Sequence, residues 1–198
     1  MAYEVDETKV RGIRPAVGGA PLPVSISGIL QFNDRTLIVS PRFQYMIKQG
    51  YGFAVGHRFV DIADEASVDL YFENPADSGK EVDIVKVNVT ALGSCDVDIY
   101  EGNTVTANGT ALMPRNLNRG SAITSVVNVE YGGTYELGDL IFDDVCPGGT
   151  KKAAVGDAAE VGETAIIPQG SNFLVRVTNQ SEAATRIAIR VIWWEESV

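Results

Sequence analysis

Residues 185–194, TRIAIRVIWW, decide the fold. Ile187, Ile189, Val191 and Trp193 occupy alternate positions, and Arg186 and Arg190 stand among the residues between them. A period of two lays one face of an extended strand on a core and leaves the other in water. The same alternation recurs upstream. In SVDLYFEN (67–74), Val68, Leu70 and Phe72 alternate with Asp69, Tyr71 and Glu73. In VDIVKVNVTA (82–91), the apolar set is Val85, Val87, Val89 and Ala91, alternating with Lys86, Asn88 and Thr90. In DVDIY (96–100), Val97 and Ile99 alternate with Asp96 and Asp98. One wet face per strand is the pattern of antiparallel sheets, not of parallel sheets buried on both sides.

Turn signals punctuate these runs at short intervals: NPADSGK, EGN, ANGT, YGGT, CPGGT, PQGSN and NQSEAAT. Asn, Asp and Gly supply the positive-φ conformations that tight connections need. After residue 50 no amphipathic helix of useful length stands out, and the Ala-rich stretch 150–164, broken by two glycines, reads as a long loop. Eight or so short strands with polar turns predict an all-β protein, an antiparallel β-sandwich of jelly-roll type. No repeat of twenty to fifty residues argues for a solenoid or propeller.

The amino-terminal part reads differently. VRGIRPAVGGAPLPVSISG (10–28) is rich in Pro and Gly and has no sustained period. Such a segment buries little surface alone. Residues 1–36 are therefore expected to form an extended arm and residues 37–198 the sandwich domain. Between them, PRFQYMIKQGYGFAVG (41–56) fits a short helix over Phe43 to Lys48, with Pro41 at its start and Gly50 as its stop, and fits an irregular connection nearly as well.

Composition narrows the function classes. The chain has 198 residues, 45% of them hydrophobic, enough for one domain with an arm. Its apolar runs are too short for a membrane span, and MAYEVDETKVRG lacks the apolar region of a secretory signal. The expectation is a protein made in the cytoplasm, free to leave the cell inside a larger particle. A net charge of −10, with only six Lys among sixteen basic residues, argues against sequence-independent nucleic-acid binding. A dispersed acidic surface favours solubility, and saline surroundings would favour it too. Two cysteines, Cys95 and Cys146, make neither a disulfide framework nor a zinc cluster; they read as buried thiols, with a single bridge as the alternative.

Catalytic chemistry is sparse. His57 is the only histidine, with no nucleophile beside it in VGHRF, and reads as a strand-end residue rather than a base. No P-loop, HExxH, GxSxG or dinucleotide fingerprint is present. Asp96 and Asp98 share the outward face of one strand, and Asp143 and Asp144 sit together in FDDVCPGG; these are the weak candidates for a hard cation or for acid–base work on a sugar, against a plain solvated face. No cofactor and no enzymatic activity are expected. Asn88, Asn108 and Asn179 match the glycosylation acceptor pattern, read here as chance. Trp193 and Trp194 are adjacent, so one points inward and the other outward, where it can fill an interface or stack on a sugar.

MPRNLNRGS (113–121) places Arg115, Asn116, Asn118 and Arg119 between two strand-like runs. Short amide side chains lock turns by bonding the backbone, and arginines suit interfaces through their planar, multi-donor heads. No acid, base or nucleophile accompanies them. A self-contained loop and an interface loop both fit.

The order VDIYEGNTVTANGTAL, PRNLNRGSAITSV, YGGTY and IIPQGSNFLVRVTNQSEAATRIAIRVIWWEE resembles the small jelly-roll decoration (cement) or turret proteins on the capsids of tailed bacteriophages and of tailed viruses of halophilic archaea. The shared pattern is a strand ending in an aromatic and an acidic residue, a Gly-containing hairpin, an Asn-x-Asn-Arg loop, a strand of the form FLVRVTN and a closing Trp-Tyr-Glu. Here that ending is Trp193-Trp194-Glu195, a small departure. The likeness spans about residues 65–196. It implies a virion structural protein on the outer capsid surface, homotrimeric about a threefold axis, with its base or arm on the major capsid protein. It further implies that the loop bearing Arg115, Asn116, Asn118 and Arg119 lies near a subunit or capsid contact. The alternative is a carbohydrate-binding sandwich module, displayed on the particle to touch a host glycan. No nucleic-acid or membrane partner is expected.

Overall fold

The computed structural model describes residues 29–33, 36–40, 42–147 and 165–198. Most of the arm reading and the 150–164 loop reading lie outside the described residues. The chain divides into two units, residues 1–41 and 42–198. In the first, β1 (Ile29–Asn33) pairs antiparallel with β2 (Thr36–Ser40). The last part of the stretch read as an extended arm thus carries a regular ladder.

The second unit opens with α1 (Arg42–Gln49), which covers the helix option at 43–48, and Gly50 ends it with a φ of 86°. A left-handed residue stops the helix, and glycine takes that conformation without a Cβ penalty. Then follow β3 (Gly52–Ile62), β4 (Ser67–Asn74), β5 (Lys80–Ala91), β6 (Cys95–Glu101), β7 (Thr104–Ala107), β8 (Thr110–Leu112), β9 (Arg115–Asn116), β10 (Asn128–Tyr131), β11 (Thr134–Glu136), β12 (Asp139–Cys146), β13 (Ala165–Ile167), β14 (Ser171–Asn179) and β15 (Thr185–Ser197). One sheet runs β12-β6-β14-β4-β10-β8, the other β13-β5-β15-β3-β9, and β7 and β11 form a separate ribbon. All pairings are antiparallel. From β3 to β6 and again from β12 to β15, each strand crosses to the other sheet. The protein is an all-β antiparallel sandwich.

The core lies between the sheets, and the period-two reading places it well. Ile187, Ile189, Val191 and Trp193 are buried from the central strand β15, facing Val68, Leu70, Phe72, Val97 and Ile99 from the other sheet. Trp193 meets Phe72 edge-on at 5.0 Å and lies 6.1 Å from Phe53. One expectation is corrected. Val85 is only partly buried and not in the core; its place is taken by Val82 and Ile84. The cause is a register shift: Ile192 faces Lys86, yet Trp193 faces Ile84. Val85 is the extra residue of a bulge, so the apolar phase of β5 changes there.

His57 is also re-placed. It sits in the middle of β3, stacked on Tyr131 at 3.7 Å and edge-on to Phe59. Burial lowers its pKa, and the ring packs between β3 and Tyr131 of the other sheet. Cys95 and Cys146 are buried free thiols directly opposite one another on β6 and β12. Burial first, and then the neighbouring Cys146, push the Cys95 thiol up to about 11.

Asn179 is fully buried and ties the β3–β4 connection to the β14–β15 connection. Its amide nitrogen donates to the carbonyls of Ile62, Ala63 and Ala183 at 3.0, 3.0 and 2.7 Å. Its side-chain oxygen accepts from the Ser181 N–H and hydroxyl. This residue of the acceptor pattern has no free nitrogen for a glycan. Replacing Asn179 by Ala leaves several of those groups unpaired, so urea unfolding should show a loss of about 3 kcal/mol; a loss below about 1 kcal/mol would mean that the β3–β4 connection is held by other contacts.

Candidate interaction surfaces

The Asn-rich loop is built onto the end of α1. A helix leaves its last carbonyls without internal partners. Asn118 Nδ2 donates to the Lys48 carbonyl at 3.1 Å, and Asn116 Nδ2 to the Gly50 carbonyl at 2.7 Å. Asn116 also holds the Ile123 carbonyl at 2.9 Å and accepts from the Asn118 N–H at 2.9 Å. Asn118 in turn accepts from the Gly120 N–H. Backbone bonds from Leu117 to Gly52 and from Ser121 to Asn118 complete the lock. Close packing accompanies it: a Cβ on Gly50 would lie 2.4 Å from Ser121 Oγ, and one on Gly52 would lie 2.6 Å from an Ile47 side-chain carbon. The two asparagines therefore serve this chain's own fold. Arg115 and Arg119 are left exposed on a fixed frame, Arg119 with one long contact to the Asn116 carbonyl at 3.4 Å.

Glu195 closes the far side of the same segment. It is 2% exposed, and sequence reasoning passed it over. Its carboxylate accepts from the Ser125 hydroxyl, the Val126 N–H and Trp193 Nε1. Burial raises its pKa, and those same donors pull it back. A carboxylate two residues beyond a core tryptophan, on the same strand face, was the available signal.

Trp194 is buried by the chain itself. It is 6% exposed, beneath Phe43 of α1 at 5.8 Å and the Arg42 guanidinium at 5.9 Å. The interface or stacking ring read from the sequence is thus covered by the chain's own helix. Beside it in register lies Asp83, also 6% exposed. Asp83 Oδ2 and Trp194 Nε1 are buried without a hydrogen-bond partner, although the indole stands close enough to ease the carboxylate's charge. Burial raises the Asp83 pKa, Arg42 opposes this, and Glu196 and Glu81 add to it.

Asp96, Asp98 and Asp143 meet on the outer face of the six-stranded sheet, while Asp144, opposite the core residue Val97, belongs to the other phase of its edge strand. Asp98 lies opposite Asp143 on one side and Arg176 on the other, and Arg176 lies opposite Asp69. Arg176 grips Asp69 with two bonds of 2.8 Å. Asp96, Asp98, Asp143 and Asp144 rim an open hollow of about 380 Å³. Asp96 accepts from Gln180 at 2.8 Å. Burial raises the Asp98 pKa, Tyr100 opposes it, and Asp96 and Asp143 raise it further. Among the described residues, no three His, Cys, Asp or Glu side chains are grouped to hold a metal ion.

A second concavity, about 560 Å³, lies on the same sheet behind the β7–β11 ribbon. Its polar lining includes Glu73, Glu130, Asn108 and Asn128, with Tyr71 in its wall. Tyr71 stacks on Tyr135 at 5.2 Å, and burial with the nearby Glu73 and Glu130 pushes its phenol up to about 12. Among the described residues, no helix is long and apolar enough to cross a membrane. No protein-family model, curated protein or solved structure matches the chain.

Two outcomes follow from this geometry. Asn116→Ala frees two carbonyls and one N–H, so stability should fall by about 2 kcal/mol and amide exchange should quicken from Leu117 to Ile123; unchanged exchange there would refute the lock. For Glu195, the folded-state pKa lies above the unfolded one, so the folded state holds the proton more tightly. Stability should therefore rise as pH falls from above the folded pKa towards the ordinary glutamate value of about 4.5. Measured as wild type minus Glu195→Gln in urea titrations across that window, the difference should grow on acidification; a flat or opposite slope would refute the raised pKa.

Proposed function

We propose that this chain is a structural virion protein, a capsid decoration or turret protein that binds the outer surface of the major capsid protein shell and stabilises it. The observation that carries the reading is the strand order. The quartets β13-β5-β15-β3 and β12-β6-β14-β4, with successive strands changing sheets, follow the two-Greek-key order of a jelly roll. This is the architecture that the resemblance over residues 65–196 implies. The connection from β6 to β12 adds β8 and β10 to one sheet and β9 to the other, and carries the arginine loop. A loop bolted to a helix end can present Arg115 and Arg119 without an ordering cost on binding. The extended arm of residues 1–36, the homotrimer and the haloarchaeal viral source belong to the same proposal.

Carbohydrate binding is the second reading, favoured by the Glu- and Asn-lined hollow near Tyr71. Its weakness is the absence of an offered indole, since both tryptophans are buried. Sugar recognition usually pairs such polar groups with an accessible ring.

Capsids assembled without this protein separate the readings. The purified chain should co-sediment with them and raise their melting temperature, and Arg115→Glu with Arg119→Glu should weaken attachment by about tenfold, the equivalent of about 1.4 kcal/mol. Failure to bind such capsids, together with hits on a glycan array, would replace the first reading with the second.

A further inference from the structure

The chain carries a net charge of −10, yet one edge of its five-stranded sheet is basic. The short strand β9 pairs only with Phe53 and Ala54 of β3. From Val55 onward, β3 is paired only with β15, so its other side is an open edge among the described residues. The parity of that edge is fixed by the neighbouring bonds. The Leu117 N–H donates to the Gly52 carbonyl towards β9, whereas the Tyr51 carbonyl accepts from Glu195 of β15. Main-chain groups alternate sides along a strand, so Gly56 and Arg58 turn their N–H and C=O groups to the open edge. A register shift between Phe59 and Ile62, with Asp61 at a φ of 56°, ends the stretch. The aperture is about five residues, or about 16 Å.

What surrounds this edge is specific. A hollow of about 440 Å³ lies against it, lined by Gly56, Leu112, Met113, Arg115 and Arg190 among others. Met113 is 71% exposed at its mouth. Arg58, Arg115 and Arg190 are exposed, and none forms an ion pair with a described residue. Arg190 lies directly across from Gly56, and Arg58 from Ala188, so the small neighbours leave the guanidinium groups room to reach over the edge. An unpaired ladder is a template for an added strand, and main-chain bonds give the affinity of such additions while side-chain pockets give the specificity. The side-chain environment here is cationic, with Leu112 and Met113 as apolar contacts.

We propose that the open edge of β3 at Gly56–Arg58 takes an extended acidic segment of another chain as an added strand. Its carboxylates meet Arg58, Arg115 and Arg190, and an apolar residue rests on Met113. This goes beyond the capsid reading and does not depend on it.

The probe is an end-blocked eight-residue peptide alternating valine and glutamate, titrated against the full chain by fluorescence anisotropy. Binding at low salt, loss with lysine in place of glutamate, and about tenfold weakening (about 1.4 kcal/mol) in Arg190→Glu and in Arg115→Glu of unchanged melting temperature are expected. The decisive arm is backbone methylation. Methylating alternate peptide amides in one register should abolish binding, and methylating the other set should spare it, because only one set faces the ladder. The amide of Arg58 should also exchange more slowly in the complex. Equal binding of both methylated peptides would reduce the contact to general electrostatics and overturn the proposal; no binding at millimolar peptide would overturn it as well. Attachment to capsids is read separately, so either idea can fail alone.

Discussion

The sandwich depends on how Trp193 is buried. A tryptophan gives a large apolar surface to a core but brings an N–H that needs an acceptor. Trp193 is fully buried at the centre of the five-stranded sheet, and its acceptor is Glu195 on the same strand. That choice places a carboxylate in the interior, which is costly unless its oxygens are satisfied. Ser125 and Val126 satisfy them, and so the segment leading into β10 must close over this end of the core. One indole nitrogen thereby fixes the last strand, the entry to β10 and the register of β5, whose bulge lets Trp193 face Ile84.

On the outer side of the same strand the problem is solved differently. Trp194 and Asp83 would meet water there, and α1 lies over them instead. The helix can approach because Gly52 offers no side chain to Ile47, and its exposed carbonyls are met by Asn116 and Asn118. Core tryptophan, covering helix and asparagine loop form a continuous chain of contacts, in which only the Asp83 carboxylate and the Trp194 indole under the helix are left without a hydrogen bond. The arginines of that loop stand apart from it: among the described residues, Arg119 makes only a long contact to the Asn116 carbonyl and neither forms an ion pair.

How much of this was legible follows from how local each cause is. The alternation in TRIAIRVIWW needs only the chain's own period, and all four inward residues are buried where it puts them. VDIVKVNVTA is different, because it carries two apolar phases: Val82 and Ile84 fit one, Val85, Val87 and Val89 the other. Only the partner strand decides where one phase gives way to the next. The loop showed the same division. That Asn116 and Asn118 bond backbone groups was readable from their side chains. That the acceptors are the carbonyls of a helix end seventy residues away was not. Asp96 with Asp98, and Asp143 with Asp144, could be grouped from the sequence alone, but the hollow they line arises from the pairing of β6 with β12, which no spacing in the sequence expresses.

The placement of charge carries the last step. Acidic side chains collect on the outer face of the six-stranded sheet, where Asp98 is held among like charges that the Tyr100 hydroxyl and Arg176 offset. Arg58, Arg186 and Arg190 point outward from the other sheet, on β3 and β15. Charged residues on an edge strand can simply discourage unwanted pairing. For that purpose one lysine or a bulge is enough, and the bulge at Asp61 is already present. Arginine adds what blocking does not need: a planar head that reads carboxylates with two bonds, held here beside a fixed ladder of main-chain groups. Repulsion from the rest of the surface keeps weak acidic contacts away, so that only a segment able to satisfy both the ladder and the arginines is held.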